Sequence, residues 1–122
     1  MSATAEDLTE LLSDSGVVET DALTDLLHIT KGELAQATGL SRDAVSKRAR
    51  VASPKTQQRL RNTLDIINRP VPWTGSTARA FAWFRAQPLP SFGDKTADDL
   101  LKEGRAQAFK DYLSRIADGG YA

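Results

Sequence analysis

Short amphipathic segments that follow hydroxyl residues constrain the fold of this chain more than any other feature of its sequence. Thr30 is followed three residues later by Glu33, which is the spacing of a capping box at a helix N-terminus. Ser53 is followed by Pro54, which suits the first helical position because its missing N–H has no partner there. No stretch alternates apolar and polar residues as a half-buried strand does. The sequence therefore predicts an all-α fold.

Caps, apolar spacing and stop residues together predict eight helices. They cover about 4–12, 20–27, 31–38, 42–48, 54–68, 77–86, 97–103 and 105–117. The segment Val71–Gly75 contains proline and is predicted to be a bend or linker. We therefore expect three parts, namely an acidic and frayed N-terminal segment 1–19, a helix-turn-helix domain 20–72 and a C-terminal domain 73–122.

The net charge of zero over 122 residues hides a basic middle. Residues 1–30 carry seven acidic and no basic residues, whereas residues 31–69 carry nine basic and three acidic residues. This asymmetry favours an anionic partner for the middle of the chain, and a solvated helix face is the alternative. With no cysteine, no signal core and no membrane-length apolar run, the chain is expected to be cytoplasmic.

The spacing of Ala35, Gly39 and Val45 is that of a DNA-binding helix-turn-helix. The small side chain of Ala35 allows the two helices to cross closely. Gly39 ends the first helix, and Val45 fills the space between the two helices. The predicted DNA-contacting residues are Ser41, Arg42, Asp43, Ser46, Lys47 and Arg50, with further phosphate contacts from Lys55 and Arg59. Arg48 stands where this motif is usually apolar, and a helical hairpin without a DNA partner is the alternative. A half-site reader of this kind is expected to be a homodimer.

Aromatic residues concentrate in the last third of the chain. Phe81, Phe84, Phe109 and Leu113 lie at helical spacings and are predicted to be core. Pro88 and Pro90 flank Leu89, which is expected to project as a preorganised anchor. The loop Phe92-Gly93 follows, and an aromatic residue, Tyr121, comes after the last predicted helix. These residues indicate a surface that binds another protein.

No enzyme constellation competes with that interpretation. His28 is the single histidine and is expected to be structural. The chain has no partnered nucleophile, no glycine-rich phosphate loop and no convergent metal-ligand set. We therefore predict a protein that is not an enzyme and that has no cofactor or metal.

Trp83, the Pro88–Leu89 turn, Phe92-Gly93 and the Gly119–Ala122 end resemble the Xre/MbcA/ParS family of antitoxins. The resemblance covers about residues 20–122 and is strongest from Ala80 onward. It implies a partner, a RES-domain toxin that consumes NAD, and a C-terminal region that blocks the NAD pocket of that toxin. It also implies an N-terminal module that dimerises and binds promoter DNA.

The toxin-binding residues expected from this resemblance and from the aromatic pattern form one set. They are Leu89, Phe92, Gly93, Tyr112, Arg115, Gly119, Gly120, Tyr121 and Ala122. The four terminal residues are expected to enter the mouth of the NAD pocket, with Tyr121 in an aromatic-sized slot. A stand-alone helix-turn-helix transcriptional regulator is the alternative function.

Overall fold

The computed structural model describes residues 17–117, which form nine α-helices and one 3-10 turn with no strand. The helices are α1 (Thr20–Leu27), α2 (Lys31–Thr38), α3 (Arg42–Ser46), α4 (Arg48–Val51), α5 (Pro54–Asn68), α6 (Val71–Thr74), α7 (Thr77–Ala86), α8 (Ala97–Lys102) and α9 (Ala106–Ala117), and the 3-10 turn is Pro90–Phe92. The predicted all-α fold is confirmed. The helix expected at 4–12 and the terminal residues Gly119, Gly120, Tyr121 and Ala122 lie outside the described residues.

Most helix starts lie where the hydroxyl residues predict them. The Thr30 side chain accepts a hydrogen bond from the Glu33 amide (3.0 Å), and the Glu33 carboxylate accepts one from the Thr30 amide (3.1 Å), which confirms the capping box. Ser53 caps α5 ahead of Pro54, and Thr96 caps α8 in the same way. These caps satisfy amides that a helix leaves without internal partners.

The fourth predicted helix, about 42–48, is wrong beyond Ser46. Lys47 has an extended backbone (φ −89°, ψ 123°), and a separate helix, α4, begins after it. Val45 and Val51 lie six residues apart and would face different sides of one continuous helix. The break lets both side chains enter the core, where their exposed fractions are 0% and 6%.

The segment Val71–Gly75, expected to be a bend or linker, contains the one-turn helix α6. The amides of Thr74 and Gly75 donate to the carbonyls of Pro70 (2.9 Å) and Val71 (2.9 Å). Pro72 does not disrupt this turn because amides in the first turn of a helix need no internal acceptor. Gly75 ends the helix in the left-handed region (φ +96°).

A single apolar core runs from Val18 to Leu113. Helix α5 crosses its centre and buries Leu60 and Ile67 completely, while α7, α8 and α9 pack around it. The core residues predicted in the last third of the chain are buried as expected, namely Phe81, Phe84, Phe109 and Leu113. The core is continuous across residues 72 and 73, and the division into two domains there stays a prediction.

Arg59 links helices on both sides of that proposed boundary. Its Nη1 donates to the carbonyl of Thr38 (3.1 Å) at the end of α2 and to the carbonyl of Leu101 (2.7 Å) in α8. The last carbonyls of a helix have no N–H donor within the helix, and the Arg59 guanidinium supplies such donors here. The side chain expected to contact phosphate is therefore engaged within the fold.

Candidate functional site

Phe109 organises the aromatic residues of the last third of the chain. Its ring is fully buried, and the ring centroids of Trp83, Phe92 and Tyr112 lie 6.0, 5.9 and 6.0 Å from it. Trp83 and Tyr112 stack on it, whereas Phe92 meets it edge-on. These three outer rings are half-buried, so each is held from below and partly open to solvent.

A closed loop positions Phe92. The Leu89 amide donates to the Lys95 carbonyl (3.0 Å), and the Asp94 amide donates back to the Leu89 carbonyl (2.9 Å). Gly93 and Asp94 complete the turn with φ values of +68° and +65°. The expectation that Leu89 projects is wrong, because its side chain is 5% exposed and belongs to the core. Leu89 supports the loop from inside, and Phe92 is the residue that the loop presents.

Gly93→Ala is expected to lower the free energy of unfolding by about 1 kcal/mol. An added Cβ meets no atom within 4 Å, so the cost is that of the left-handed backbone conformation alone. Gly104→Ala is the matched control, since Gly104 has φ +79° and the same open surroundings. Urea unfolding followed by circular dichroism measures both. An unchanged stability for Gly93→Ala alone would show that the loop has a different conformation.

One face of α9 continues the surface around Phe92. Ala108, Tyr112 and Arg115 follow one another at spacings of four and three, and therefore lie on the same side of the helix. The Tyr112 and Phe92 ring centroids are 5.3 Å apart. The Arg105 guanidinium lies over the Phe92 ring at 5.4 Å, in a cation–π contact. We name this set of residues (Phe92, Arg105, Ala108, Tyr112 and Arg115) the α9 face.

The opposite side of α9 is tied to α5. The Lys110 ammonium contacts the Asp65 carboxylate (3.1 Å) and donates to the Asn62 amide oxygen (2.7 Å). Arg69 donates to the Lys110 carbonyl (3.1 Å) and to the Ser114 hydroxyl (2.9 Å). Because several polar contacts and the buried rings hold the helix, the α9 face is preorganised.

Charged residues line the edge of the α9 face near the loop. Lys95 donates a hydrogen bond to Glu103, and this bond lowers the pKa of the Glu103 carboxyl. Arg105 approaches the same carboxylate at 3.6 Å. Glu103 is therefore ionised at neutral pH and partly offsets the positive charge of Arg105 beside the aromatic rings.

Sequence reasoning missed Trp73. Its side chain is 56% exposed, and its ring meets Trp83 edge-on with centroids 6.0 Å apart. The sequence predicts a bend or linker for this segment, where a side chain has no defined position. A tryptophan between Pro72 and Gly75 is the available signal, because tryptophan is enriched at binding surfaces.

Residues 71–119 match the family model of the Antitoxin Xre/MbcA/ParS C-terminal toxin-binding domain. The match begins at Val71, the first residue of α6, and includes the whole α9 face. This segment of the chain is therefore similar to the toxin-binding domain of antitoxins of that family. No curated protein and no solved structure matches the chain significantly.

Four of the nine residues predicted to bind the toxin lie at the surface around α9 and the loop before it. Phe92, Tyr112 and Arg115 belong to the α9 face, and Gly93 completes the loop that carries Phe92. Leu89 lies beneath the same loop. The remaining four, Gly119, Gly120, Tyr121 and Ala122, lie outside the described residues.

The residues predicted to contact DNA precede the matched segment and lie in α3, in α4 and at the ends of these two helices. Ser41 accepts a hydrogen bond from the Ala44 amide (3.1 Å) and caps α3. The five others, Arg42, Asp43, Ser46, Lys47 and Arg50, are exposed. Lys47 and Asp43 face each other at 3.8 Å, which partly neutralises that pair.

Gly39 holds the turn between α2 and α3. It has φ +74°, and a Cβ there would lie 2.8 Å from the Lys102 side chain of α8. The turn thus packs against α8, which lies within the matched segment. Between residues 17 and 117, no cluster of side chains is suited to hold a metal ion. No helix in that range is long and apolar enough to cross a membrane.

Proposed function

We propose that this chain is an antitoxin that binds and neutralises a cognate NAD-consuming RES-domain toxin. The match of residues 71–119 to a toxin-binding domain is the observation that carries the proposal. The choice of a RES-domain toxin as the partner rests on the resemblance of the last third of the chain to the Xre/MbcA/ParS antitoxins. In this proposal the α9 face is the contact surface, and Leu89 acts indirectly by supporting the Phe92 loop.

The physical chemistry of the α9 face supports that role. Phe92 and Tyr112 are held by the buried Phe109 ring, so little side-chain entropy is lost when they bind. Arg115 is exposed beside them and has no ion pair within residues 17–117. An aromatic pair next to a free guanidinium suits a protein surface that offers an apolar pocket and a carboxylate.

The inhibitory step in this proposal is steric. Helix α9 docks on the toxin, and the residues that follow it, Gly119 to Ala122, enter the mouth of the NAD pocket. Tyr121 fills an aromatic-sized slot in that mouth. The toxin is inactive because its substrate cannot enter.

Removal of residues 119–122 tests this mechanism. The truncated chain is expected to co-purify with the proposed RES-domain toxin but to lose most protection of the cells that express both. Tyr112→Ala is expected to weaken the complex itself, whereas Gln107→Ala, an exposed substitution on another side of α9, leaves it unchanged. Full protection by the truncated chain would contradict the blocking role of 119–122, and failure of the intact chain to bind would contradict the proposed function.

Operon autoregulation through DNA is a second part of the proposal. Arg42, Arg48 and Arg50 are exposed, and none has an ion pair in the part of the chain that the structure describes. Unpaired cations on one short stretch are suited to phosphate contacts. A homodimer would place two such stretches on neighbouring half-sites.

Binding to the chain's own promoter fragment at 50 and 200 mM salt tests this part. Binding is expected to weaken steeply with salt, and Arg42→Gln with Arg50→Gln is expected to weaken it at low salt. Arg79→Gln, in the toxin-binding domain, is the control. Binding that ignores salt and these substitutions would contradict the proposal. DNA binding without any toxin binding would instead favour the stand-alone regulator.

A further inference from the structure

Trp73 is the one large hydrophobic side chain that is exposed among the described residues. Its ring meets that of Trp83 nearly at a right angle, and more than half of the residue is exposed to solvent. Its indole N–H has no hydrogen-bond acceptor within residues 17–117. Tryptophan combines a large apolar surface with a polar N–H and is enriched among the residues that dominate binding at protein interfaces, so this exposed side chain is a candidate anchor.

The backbone under Trp73 is held in place. The Trp73 and Thr74 amides both donate to the Pro70 carbonyl (3.0 and 2.9 Å), and the Thr74 hydroxyl donates to it as well (3.0 Å). Pro72 removes further backbone freedom in the same turn. The direction in which the Trp73 side chain leaves the backbone is therefore fixed, and its ring contact with Trp83 holds the indole against α7, which reduces the entropy lost on binding.

A continuous series of ring contacts connects Trp73 with the α9 face. Trp73 contacts Trp83, Trp83 stacks on Phe109, and Phe109 supports Phe92 and Tyr112, with successive centroids about 6 Å apart. Both ends of the series are open to solvent, and its centre is buried. The exposed ends therefore belong to one rigid body.

We propose that Trp73 is a second anchor for the toxin, some distance from the α9 face along this series of rings. The partner surface is an apolar pocket of tryptophan size with a carbonyl or carboxylate that accepts the indole N–H. This inference rests on the proposed function. The toxin, rather than a second copy of this chain, is the occupant because Trp73 lies within the matched toxin-binding domain and is continuous with the α9 face.

Titration of the purified chain with the proposed RES-domain toxin, by calorimetry, tests the inference. Trp73→Ala is expected to raise Kd about 30-fold, as for a buried aromatic anchor. Compared with Trp73→Ala, Trp73→Phe is expected to restore part of the affinity, because it keeps one aromatic ring although it loses the N–H and the second ring of the indole. The thermal midpoint of both variants should stay close to that of the intact chain, since the side chain is mostly outside the core.

The outcomes separate this inference from the proposed function. If the intact chain binds and Tyr112→Ala weakens binding while Trp73→Ala does not, the second anchor is wrong and the antitoxin function stands. If the intact chain does not bind, both are wrong. If Trp73→Ala converts a dimer to a monomer in light scattering and leaves Kd unchanged, the indole joins two copies of this chain and the inference is overturned.

Discussion

Phe109→Ala is expected to lower the free energy of unfolding by about 4 kcal/mol. The side chain is fully buried, and three neighbouring rings lose their common support when it is removed. Phe109→Leu keeps most of the volume and is expected to cost about half as much. Urea unfolding followed by tryptophan fluorescence measures both. A loss below about 1.5 kcal/mol for Phe109→Ala would show that the rings do not depend on Phe109.

The Phe109→Ala variant also tests whether toxin binding depends on the packing beneath the α9 face. Phe109 is not at the surface, yet its loss leaves Phe92 and Tyr112 without a fixed position. We therefore expect Phe109→Ala to weaken toxin binding even at temperatures where the variant is still folded. Phe84→Ala is the control, because Phe84 is equally buried and its ring contact is with Phe81 rather than with the α9 face.

Gln57 is the second position where a large effect is expected. Its buried amide accepts from the Val18 amide (2.7 Å) and donates to the carbonyls of Val18 (3.1 Å) and Val51 (2.8 Å). Gln57→Leu leaves these three backbone groups without partners and is expected to cost about 3 kcal/mol. The side chain thus joins the start of the described chain and the end of α4 to α5.

Gln57→Glu gives the same position a pH dependence. The introduced carboxylate would face two carbonyl oxygens, so its pKa in the folded chain should be raised above its unfolded value. Stability of this variant is then expected to fall as pH rises through the folded pKa and to recover as pH is lowered. Unfolding in urea at pH 7 and pH 5 checks this, with Gln57→Leu as the variant that should show no such recovery. Equal losses at both pH values would contradict the hydrogen-bond pattern.

The candidate site combines residues that local patterns predict with residues that they do not. Phe92, Tyr112 and Arg115 were predicted because aromatic and basic residues of the last third fall at helical spacings or in a turn. Trp73 was not predicted, because its segment contains two helix-breaking signals and no periodicity. The position of the Trp73 ring depends on its contact with Trp83 in another helix. Rules that consider only neighbouring residues in the sequence do not include such a contact.

For Leu89 and Arg59, the sequence predicted a role that contacts with distant residues then changed. Two prolines correctly indicated a rigid loop at Leu89, but the pairing of Leu89 with Lys95 decides which side of the loop faces inward. The charge of Arg59 indicated a phosphate ligand, whereas two carbonyls from α2 and α8 already hold it. A residue's type states what it can bind, and its neighbours in space decide what it does bind.

By itself the sequence determined the helical class, most helix starts and the core of the last third. These features depend on interactions within about four residues, such as the caps at Thr30 and Thr96 and the apolar spacing of Phe109 and Leu113. Only the tertiary structure decided the break at Lys47, the burial of Leu89 and the exposure of Trp73. Each of these results from competition between distant segments for the same core, because burying one side chain there fixes the direction of its neighbours.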